Sequence, residues 1–426
     1  MMGLMRLFSL SAYIKIIGLG LGFLNTVLLT RLMTAKEFGS YSFIISMLAI
    51  LSLPAVMGVP EVLIREVSKY TSLKEHGSLF YLMRWAFFSM LFTLILSCTV
   101  LLLCWYFFGE RFQGWSVVVV MAIMIFSSVN AVRSAILLGL KKVIAGQVSE
   151  LAVKPLALFI MLIVLLINGA ELNEVEALIW TALATMLSMF VGFVLLWRNM
   201  PKLNFPKKSI SADLYLSWSR SALPLALISG LYVLNQQLDI VMLGVLSGDA
   251  DVGIYKVASQ MGFFVIFGQQ LIRPVVAPRF SEYWSRGKLY DLEKIVVFSG
   301  RVSFAIAALV TVIMIVGGEF ILSCIFGDEY AKGYAALVVI CIGQMINAAT
   351  GSVGNLLNMC GKELQSLKAL VIGLVVNVLA SVVLIPILGG LGAAIGTSLS
   401  LGVWNLMLWF SVKKNIGINP AIVRVK

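Results

Sequence analysis

Five ionisable side chains interrupt segments of this chain that are otherwise strongly apolar. Four are basic, namely Arg133, Lys154, Lys256 and Arg273, and one is acidic, Asp239. A charge at the centre of a membrane costs about 2.5–3.5 kcal/mol on insertion scales. Such residues therefore usually face a water-filled cavity, bind a charged ligand or form an ion pair. Pairing of Asp239 with Lys154 or Arg273 stays open, but one carboxylate cannot neutralise all the basic groups. We therefore expect a net cationic cavity and an anionic ligand.

Two of these basic residues precede a proline. Lys154 is followed by Pro155 and Arg273 by Pro274, with Gln269 one turn before Arg273. Proline lacks a backbone N–H, so it leaves one carbonyl of the preceding turn without its helical partner. Lys154 and Arg273 are therefore harder to explain as snorkelling side chains than the basic residues nearer to segment ends. Those residues are Lys15, Arg31, Arg220 and Arg301.

Polar residues recur at helical spacing in one of the later apolar segments. This spacing predicts a polar stripe along a single helix face. Such stripes either line a pathway or pack helices together, and both interpretations remain open. Gaps of 3, 4, 4 and 3 residues separate Gln344, Asn347, Gly351, Asn355 and Asn358.

The elements that carry these residues are predicted to be membrane-spanning helices. The chain has 426 residues, of which 60% are hydrophobic and 12% are charged, and its mean hydropathy is +1.00. A soluble domain has about 25% charged residues, and about 20 apolar residues cross a bilayer as a helix. Twelve apolar segments predict an all-α membrane protein, because helices satisfy their own backbone hydrogen bonds in lipid. They lie at residues 13–33, 41–64, 80–108, 115–138, 146–168, 177–197, 219–246, 253–278, 295–316, 334–357, 364–388 and 391–412.

Lysines and arginines are distributed unevenly between alternate connections. One set of connections and the two ends together hold 21 basic residues, whereas the intervening connections hold 3, namely Lys36, Arg111 and Lys332. By the positive-inside rule the richer side is cytoplasmic, so both termini are predicted to lie in the cytoplasm. The formal net charge of +12 therefore reflects membrane topology and not nucleic-acid binding.

The two halves of the chain resemble each other in sequence. Residues 32–41, after the first span, match residues 246–255, after the seventh, and this register places Asn25 opposite Asp239. Two parallel six-helix halves are typical of transporters in which one half rocks against the other around a midplane site. We therefore assign coupling or gating to Asn25 and Asp239. The predicted boundaries are 1–198 for the N-terminal half, 199–212 for a basic cytoplasmic linker, 213–412 for the C-terminal half and 413–426 for a cytoplasmic tail.

The sequence lacks the residues that several kinds of chemistry require. The five cysteines show no paired spacing and His76 is the single histidine, which argues against a disulfide framework and a His/Cys metal site. The sequence has no glycine-rich nucleotide-binding loop, and no paired carboxylates that would suggest glycosyl transfer. We expect neither an enzyme nor a bound cofactor. The first apolar segment lacks a cleavage site and is interpreted as a retained span.

Short motifs along the chain resemble those of polysaccharide-biosynthesis flippases. These are the O-antigen and lipid-linked-oligosaccharide flippases of the multidrug/oligosaccharidyl-lipid/polysaccharide exporter superfamily. The resemblance covers nearly the whole chain in length and span count, and its motifs are mostly structural glycines. They are Phe38-Gly39-Ser40-Tyr41, Phe326-Gly327-Asp328-Glu329-Tyr330, Gly361-Lys362, Asn377, Ile385-Pro386 and the run from Gly389 to Thr397.

The resemblance implies transport of an oligosaccharide linked to undecaprenyl pyrophosphate, as in O-antigen and lipopolysaccharide biosynthesis, across the bacterial inner membrane. It also implies a cationic central cavity and coupling to an H⁺ or Na⁺ gradient. The membrane potential is a further expected source of energy, because moving a charge through it is worth about 2.3 kcal/mol per 100 mV. The implied partners are the lipid-linked oligosaccharide and membrane lipid, with a polymerase and chain-length proteins of the same pathway as further candidates. On charge and depth, Lys154, Arg273, Arg133 and Lys256 are the candidates for holding the pyrophosphate.

Other functions stay open at this point. A multidrug exporter of the same superfamily carries organic cations and needs acidic groups in its cavity, where the sequence offers only Asp239. A membrane glycosyltransferase or polymerase needs a large outer loop or an acidic cluster, but the longest outer connection has about ten residues. A lipid II flippase shares the pyrophosphate chemistry, and more spans than the twelve predicted here would favour it.

Overall fold

The computed structural model describes residues 2–53, 58–108, 114–200 and 212–420. Every regular element within these ranges is a helix, which confirms the all-α prediction. Eleven helices of the described part are long and apolar enough to cross a membrane. The predicted second span, 41–64, falls instead on two shorter helices that flank residues 54–57.

Some predicted features lie outside the described residues. These are Arg111, most of the linker (residues 201–211) and the last part of the tail (residues 421–426). The cytoplasmic location of both termini stays a prediction, as does the division into halves at the linker.

The described residues form two compact units. The first comprises Met1–Met33 and Ile44–Gln237, and the second comprises Thr34–Phe43 and Leu238–Lys426. Two helices are divided between the units, namely α2 (Ala35–Leu51) and α9 (Ala212–Leu246).

The first unit is built from helices and one π-helical turn. This turn, at Ser149–Val153, joins two α-helices into one span. The α-helices are α1 (Met2–Leu32), α3 (Val59–Ser72), α4 (His76–Phe108), α5 (Gly114–Gly139), α6 (Val143–Val148), α7 (Lys154–Ile167) and α8 (Glu174–Asn199).

Hydrogen bonds define two helix ends in the first unit. Helix α8 begins with a capping box, in which the Glu176 amide donates to Asn173 Oδ1 at 2.9 Å and the Asn173 amide donates to Glu176 Oε2 at 3.1 Å. These two bonds satisfy backbone donors that a helix start leaves unpaired. The adjacent Leu172 amide donates to the Leu32 carbonyl at 2.9 Å and so ties the end of α1 to the start of α8.

Aromatic rings fix the first part of α9 in the first unit. Trp218 is fully buried, with its ring centroid 5.5 Å from that of Tyr215, 5.8 Å from that of Trp85 and 6.3 Å from that of Tyr70. Trp85 Nε1 also donates to Ser219 Oγ at 3.1 Å. Large buried aromatic groups contribute strongly to packing, so this cluster anchors the helix that later carries Asp239.

The second unit contains the remaining helices. Two of its connections are 3₁₀-helical, at Phe263–Ile266 and Asp328–Gly333. Its α-helices are α10 (Asp249–Gly262), α11 (Phe267–Ser285), α12 (Leu289–Phe326), α13 (Tyr334–Ala349), α14 (Val353–Met359), α15 (Glu363–Leu388) and α16 (Gly390–Asn415).

The start of α2 packs within the second unit through a close backbone contact. A Cβ on Gly39 would overlap the carbonyl of Asp249, and a Cβ on Gly253 would overlap the carbonyl of Ala35. Gly39 and Gly253 are the glycines that the sequence repeat aligns. The absence of a side chain at both positions lets the two helix starts approach each other, so the repeat glycines have a packing role.

We predict that Gly39→Ala lowers the apparent melting temperature of the purified protein in detergent. The added methyl group meets a backbone carbonyl that cannot move aside cheaply, and overpacking of this kind costs about 1–3 kcal/mol. Gly20→Ala is the control, because a Cβ on Gly20 would have no neighbour within 4 Å. Equal melting temperatures for the two variants would contradict the close contact.

Candidate functional site

Asp239 is the centre of a buried hydrogen-bonding cluster in the second unit. Asp239 is 7% exposed, and its carboxylate accepts three hydrogen bonds from neutral groups. Asn377 Nδ2 donates to Oδ1 at 2.7 Å, whereas Thr397 Oγ1 and the Tyr255 hydroxyl lie 2.7 and 3.2 Å from Oδ2. Four helices supply these side chains, namely α9, α10, α15 and α16. In this site the hydroxyl and amide groups of the protein replace water as hydrogen-bond donors to the carboxylate.

The donors of this cluster have alternative partners close by. The Thr397 hydroxyl lies 3.0 Å from the Ala393 carbonyl and 3.3 Å from the Tyr255 hydroxyl, so it can turn away from Asp239. Asn377 Oδ1 accepts from Ser381 Oγ at 2.9 Å, which fixes its amide with the nitrogen toward the carboxylate. Among the described residues, no ion pair joins Asp239 to a basic side chain of its own unit. A buried carboxylate of this kind can take up a proton or a small cation, because rotation of a hydroxyl frees an oxygen.

Sequence reasoning found Asp239 but not the three groups around it. Tyr255 ends the second copy of the repeat, and Asn377 and Thr397 lie in the motifs of the resemblance. Each of them could therefore be identified as a motif residue from the sequence. Their position around Asp239 could not be predicted, because they come from different helices that are far apart along the chain.

Lys154 begins α7 directly after the π-helical turn. Its side chain is half-buried, and no carboxylate of the described residues in its unit lies within ion-pair distance. Glu150, one turn earlier, interacts electrostatically with Lys154 and also with Arg133. Lys154 thus keeps a charge in a spanning segment without a directly bonded counter-charge.

Arg133 lies in the interior of the first unit and is 1% exposed. Its Nε donates to Asn130 Oδ1 at 3.2 Å and its Nη2 donates to Ser149 Oγ. Nη1 is buried and has no hydrogen-bond partner among the described residues. The guanidinium is enclosed by α5, α8 and the π-helical turn, so in this conformation it does not face a ligand space.

Asn25 contacts the first turn of α7, the helix that begins with Lys154. It is 6% exposed, and its Nδ2 donates to the Pro155 carbonyl at 2.9 Å, which joins α1 to α7. Its Oδ1 is buried and has no hydrogen-bond partner among the described residues. The structure therefore places Asn25 next to Lys154 in the first unit and Asp239 in the second.

The two remaining basic candidates belong to the second unit. Lys256, in α10, is half-buried and forms no ion pair with a described residue of its unit. Arg273, in α11, has an exposed side chain. Gln269, one turn before Arg273, is buried and donates to the Gly351 carbonyl at 3.0 Å. The Gln269 side chain therefore contacts the backbone next to the end of α13.

The predicted single-face polar stripe is wrong, because the helix that should carry it is broken. Helix α13 ends at Ala349 and α14 begins at Val353, with Gly351 between them at φ 71°. Only glycine adopts such a backbone at little cost. Gln344 and Asn347 lie before the break and are bonded to each other at 3.2 Å. The remaining members, Asn355 and Asn358, lie after it on α14.

Side-chain hydrogen bonds surround this break in the helix. Besides the Gln269 contact, the Thr350 hydroxyl lies 2.9 Å from the Asn347 carbonyl and 3.0 Å from Asn405 Oδ1 on α16. Broken helices at membrane depth are tolerated where protein or a cavity satisfies the backbone, and in transporters they occur near binding sites.

Two solved structures that superpose on this chain are a multidrug transporter and a lipid flippase. An inward-facing multidrug resistance MATE family transporter of the MOP superfamily superposes with a TM-score of 0.70 at 13% identity, over 93% of this chain and 94% of its own. The lipid II flippase MurJ, in an inward closed conformation, superposes with a TM-score of 0.69 at 12% identity, over 96% and 87%. The chain therefore has the fold that these two solved structures share.

Sequence comparison gives the family. The family model described as polysaccharide biosynthesis protein matches residues 4–284, more than half of the chain, and the MatE model matches residues 224–383. This chain belongs to the polysaccharide biosynthesis protein family. The "probable low-salt glycan biosynthesis flippase Agl15" of Haloferax volcanii is 22% identical over 395 residues, which cover 91% of this chain and 79% of that protein. These relatives are transporters and not catalysts of a chemical reaction.

We predict that Thr397→Val destabilises the second unit through Asp239. Loss of a donor to a buried carboxylate costs about 1–3 kcal/mol, measurable as a lower melting temperature in detergent. In an Asp239→Asn background the penalty shrinks, because the acceptor no longer carries a charge. Additive effects of the two substitutions would contradict the bond. Thr26→Val is the control, since that hydroxyl bonds a carbonyl of its own helix.

Proposed function

We propose that this protein is a flippase that moves a lipid-linked oligosaccharide from the cytoplasmic to the outer leaflet. The observation that carries the proposal is Lys154, a half-buried lysine in a spanning segment without a carboxylate at ion-pair distance in its unit. Such a charge is costly unless an anion or water compensates it. The lipid pyrophosphate that anchors oligosaccharides is an anion of this kind, and membership of the polysaccharide biosynthesis family supports the cargo.

The cargo that we propose is an oligosaccharide repeat unit on undecaprenyl pyrophosphate, as used for O-antigen and other bacterial polysaccharides. In this proposal the bacterial inner membrane is the site of action, and a polymerase and chain-length proteins use the product. The basic residues that we propose for contact with the pyrophosphate are Lys154 in the first unit, and Lys256 and Arg273 in the second.

The main alternative is a cation-coupled multidrug exporter of the same superfamily, which the fold alone would allow. Organic cations need unpaired acidic groups, whereas the Asp239 carboxylate is occupied by three donors of its own unit. A glycosyltransferase or polymerase is disfavoured by the family match. The flippase is therefore the better supported function.

We further propose that Asp239 is the coupling group. Its cluster contains one carboxylate and hydroxyls that can reorient, so uptake of H⁺ or Na⁺ would change which groups the carboxylate binds. The membrane potential is a second source of energy, worth about 2.3 kcal/mol per charge per 100 mV. A cargo with about two negative charges is driven outward by a negative interior if its charges cross uncompensated.

The first test concerns the basic residues. Lys154→Ala and Arg273→Ala are each expected to reduce surface polysaccharide to less than about a tenth, because loss of a charge-assisted contact costs about 1.5–3 kcal/mol. Cells producing each variant are assayed for surface polysaccharide and for the amount of protein in the membrane. Lys414→Ala, at an exposed position of α16, is the control. Normal polysaccharide from both variants would overturn the cationic cavity.

The second test concerns coupling. Asp239→Lys is expected to block transport more strongly than Asp239→Asn, because asparagine keeps a short polar side chain whereas lysine reverses the charge. Transport is measured in liposomes with an imposed pH gradient, an Na⁺ gradient or a potential. Equal activity of the two variants would show that the charge of Asp239 does not matter. Indifference of the wild-type protein to the potential would exclude uncompensated charge movement.

A further inference from the structure

Ser149 is the junction of a hydrogen-bonding network that ends at Lys154. Its carbonyl accepts from the Lys154 amide, five residues later, and from Ser188 Oγ on α8 at 2.6 Å. Its hydroxyl accepts from Arg133 Nη2 on α5. All three residues that contact Ser149 are in the first unit. A hydrogen bond over five residues defines the π-helical turn, so the network holds this turn in place.

The π-helical turn determines the direction of the Lys154 side chain. A turn that contains one extra residue rotates every later residue by about 100° relative to a continuous α-helix. Pro155 favours the interruption, because it has no N–H to complete the α-helical bond to the Leu151 carbonyl. Without the turn, Lys154 would therefore point to a different face of the span.

Neighbouring residues hold the Arg133 side chain in position within this network. A Cβ on Gly192 of α8 would overlap the Arg133 guanidinium, so the glycine makes room for it. Asn130 accepts from Nε at 3.2 Å and fixes the plane of the group. At 1% exposure the guanidinium lies against protein on all sides and is used for an internal contact.

We propose that Arg133 is a positioning residue that, through Ser149, holds the π-helical turn and thereby directs the Lys154 ammonium group toward the anionic headgroup of the cargo. The importance of Lys154 for transport rests on the proposed function. The orientation of Lys154 does not, and it can be measured without a transport assay.

The orientation is tested by chemical labelling of Lys154→Cys in a protein whose five native cysteines are replaced by alanine. A water-soluble, positively charged methanethiosulfonate reagent reports how accessible the introduced thiol is to water. Ser149→Ala removes the acceptor and Gly192→Ala displaces the guanidinium, and both keep the charge of Arg133. Each is expected to slow labelling of the introduced thiol about tenfold, because one buried hydrogen bond is lost. Unchanged labelling in both variants would overturn the proposal.

A matched control separates this effect from general loosening. Thr185 is buried on α8, one turn before Ser188, and its hydroxyl bonds the Thr181 carbonyl of its own helix at 2.7 Å. Thr185→Ala is expected to leave labelling of the introduced thiol within about twofold of the parent. An equal slowing by Thr185→Ala would show that any cavity near α8 disturbs position 154, and would also overturn the proposal.

Transport distinguishes positioning from direct binding by Arg133. Arg133→Lys keeps the charge but cannot form the two directed contacts to Asn130 and Ser149. If Arg133 positions Lys154, this variant and Gly192→Ala lower transport by a similar factor of about ten. Full transport by Arg133→Lys would indicate that charge alone matters and would contradict the proposal. Normal transport by Lys154→Ala would remove the role of Lys154 in the proposed function, while the labelling experiment would still decide the positioning.

Discussion

The structure depends on the requirement that backbone polar groups in a membrane find partners within the protein. Continuous helices meet it automatically, and the described spans depart from it at a few places. At three of these a side chain from another helix donates a hydrogen bond to a backbone carbonyl. Gln269 donates to the Gly351 carbonyl, Ser188 to the Ser149 carbonyl and Asn25 to the Pro155 carbonyl. Some of the buried polar residues in the described part of the chain therefore lie next to interruptions of the helices.

The acidic and basic side chains discussed above differ in their hydrogen-bonding surroundings. Asp239 is surrounded by hydroxyl and amide donors, which stabilise a carboxylate without a counter-ion. Lys154 and Lys256 have no carboxylate at ion-pair distance among the described residues of their units. Arg133 is enclosed by protein. This difference between one acid with three donors and two lysines without an ion pair is the physical basis of the proposal that the cargo is anionic.

The sequence allowed the helices to be predicted well, because apolar length alone determines what can cross a membrane. The intramembrane charges could also be identified from composition. The failures occurred where tertiary contacts override local pattern. The spacing of Gln344, Asn347, Asn355 and Asn358 fits one helix face, yet Gly351 takes a positive φ that the Gln269 contact stabilises. Arg133 looked like the other intramembrane bases because the space that Gly192 leaves for it is not visible in sequence.

The docking of the first residues of α2 in the second unit also affects how relatives can be recombined. The Ala35 amide donates to Glu329 Oε2 at 3.3 Å, and the rings of Phe38 and Tyr330 meet edge to face at 6.3 Å between centroids. Consider a chimera of two related proteins, with the residues before the linker from one protein and the residues after it from the other. In such a chimera the two members of each contacting pair would come from different proteins. To keep the native packing, residues 34–43 of the chimera should come from the same protein as the C-terminal part.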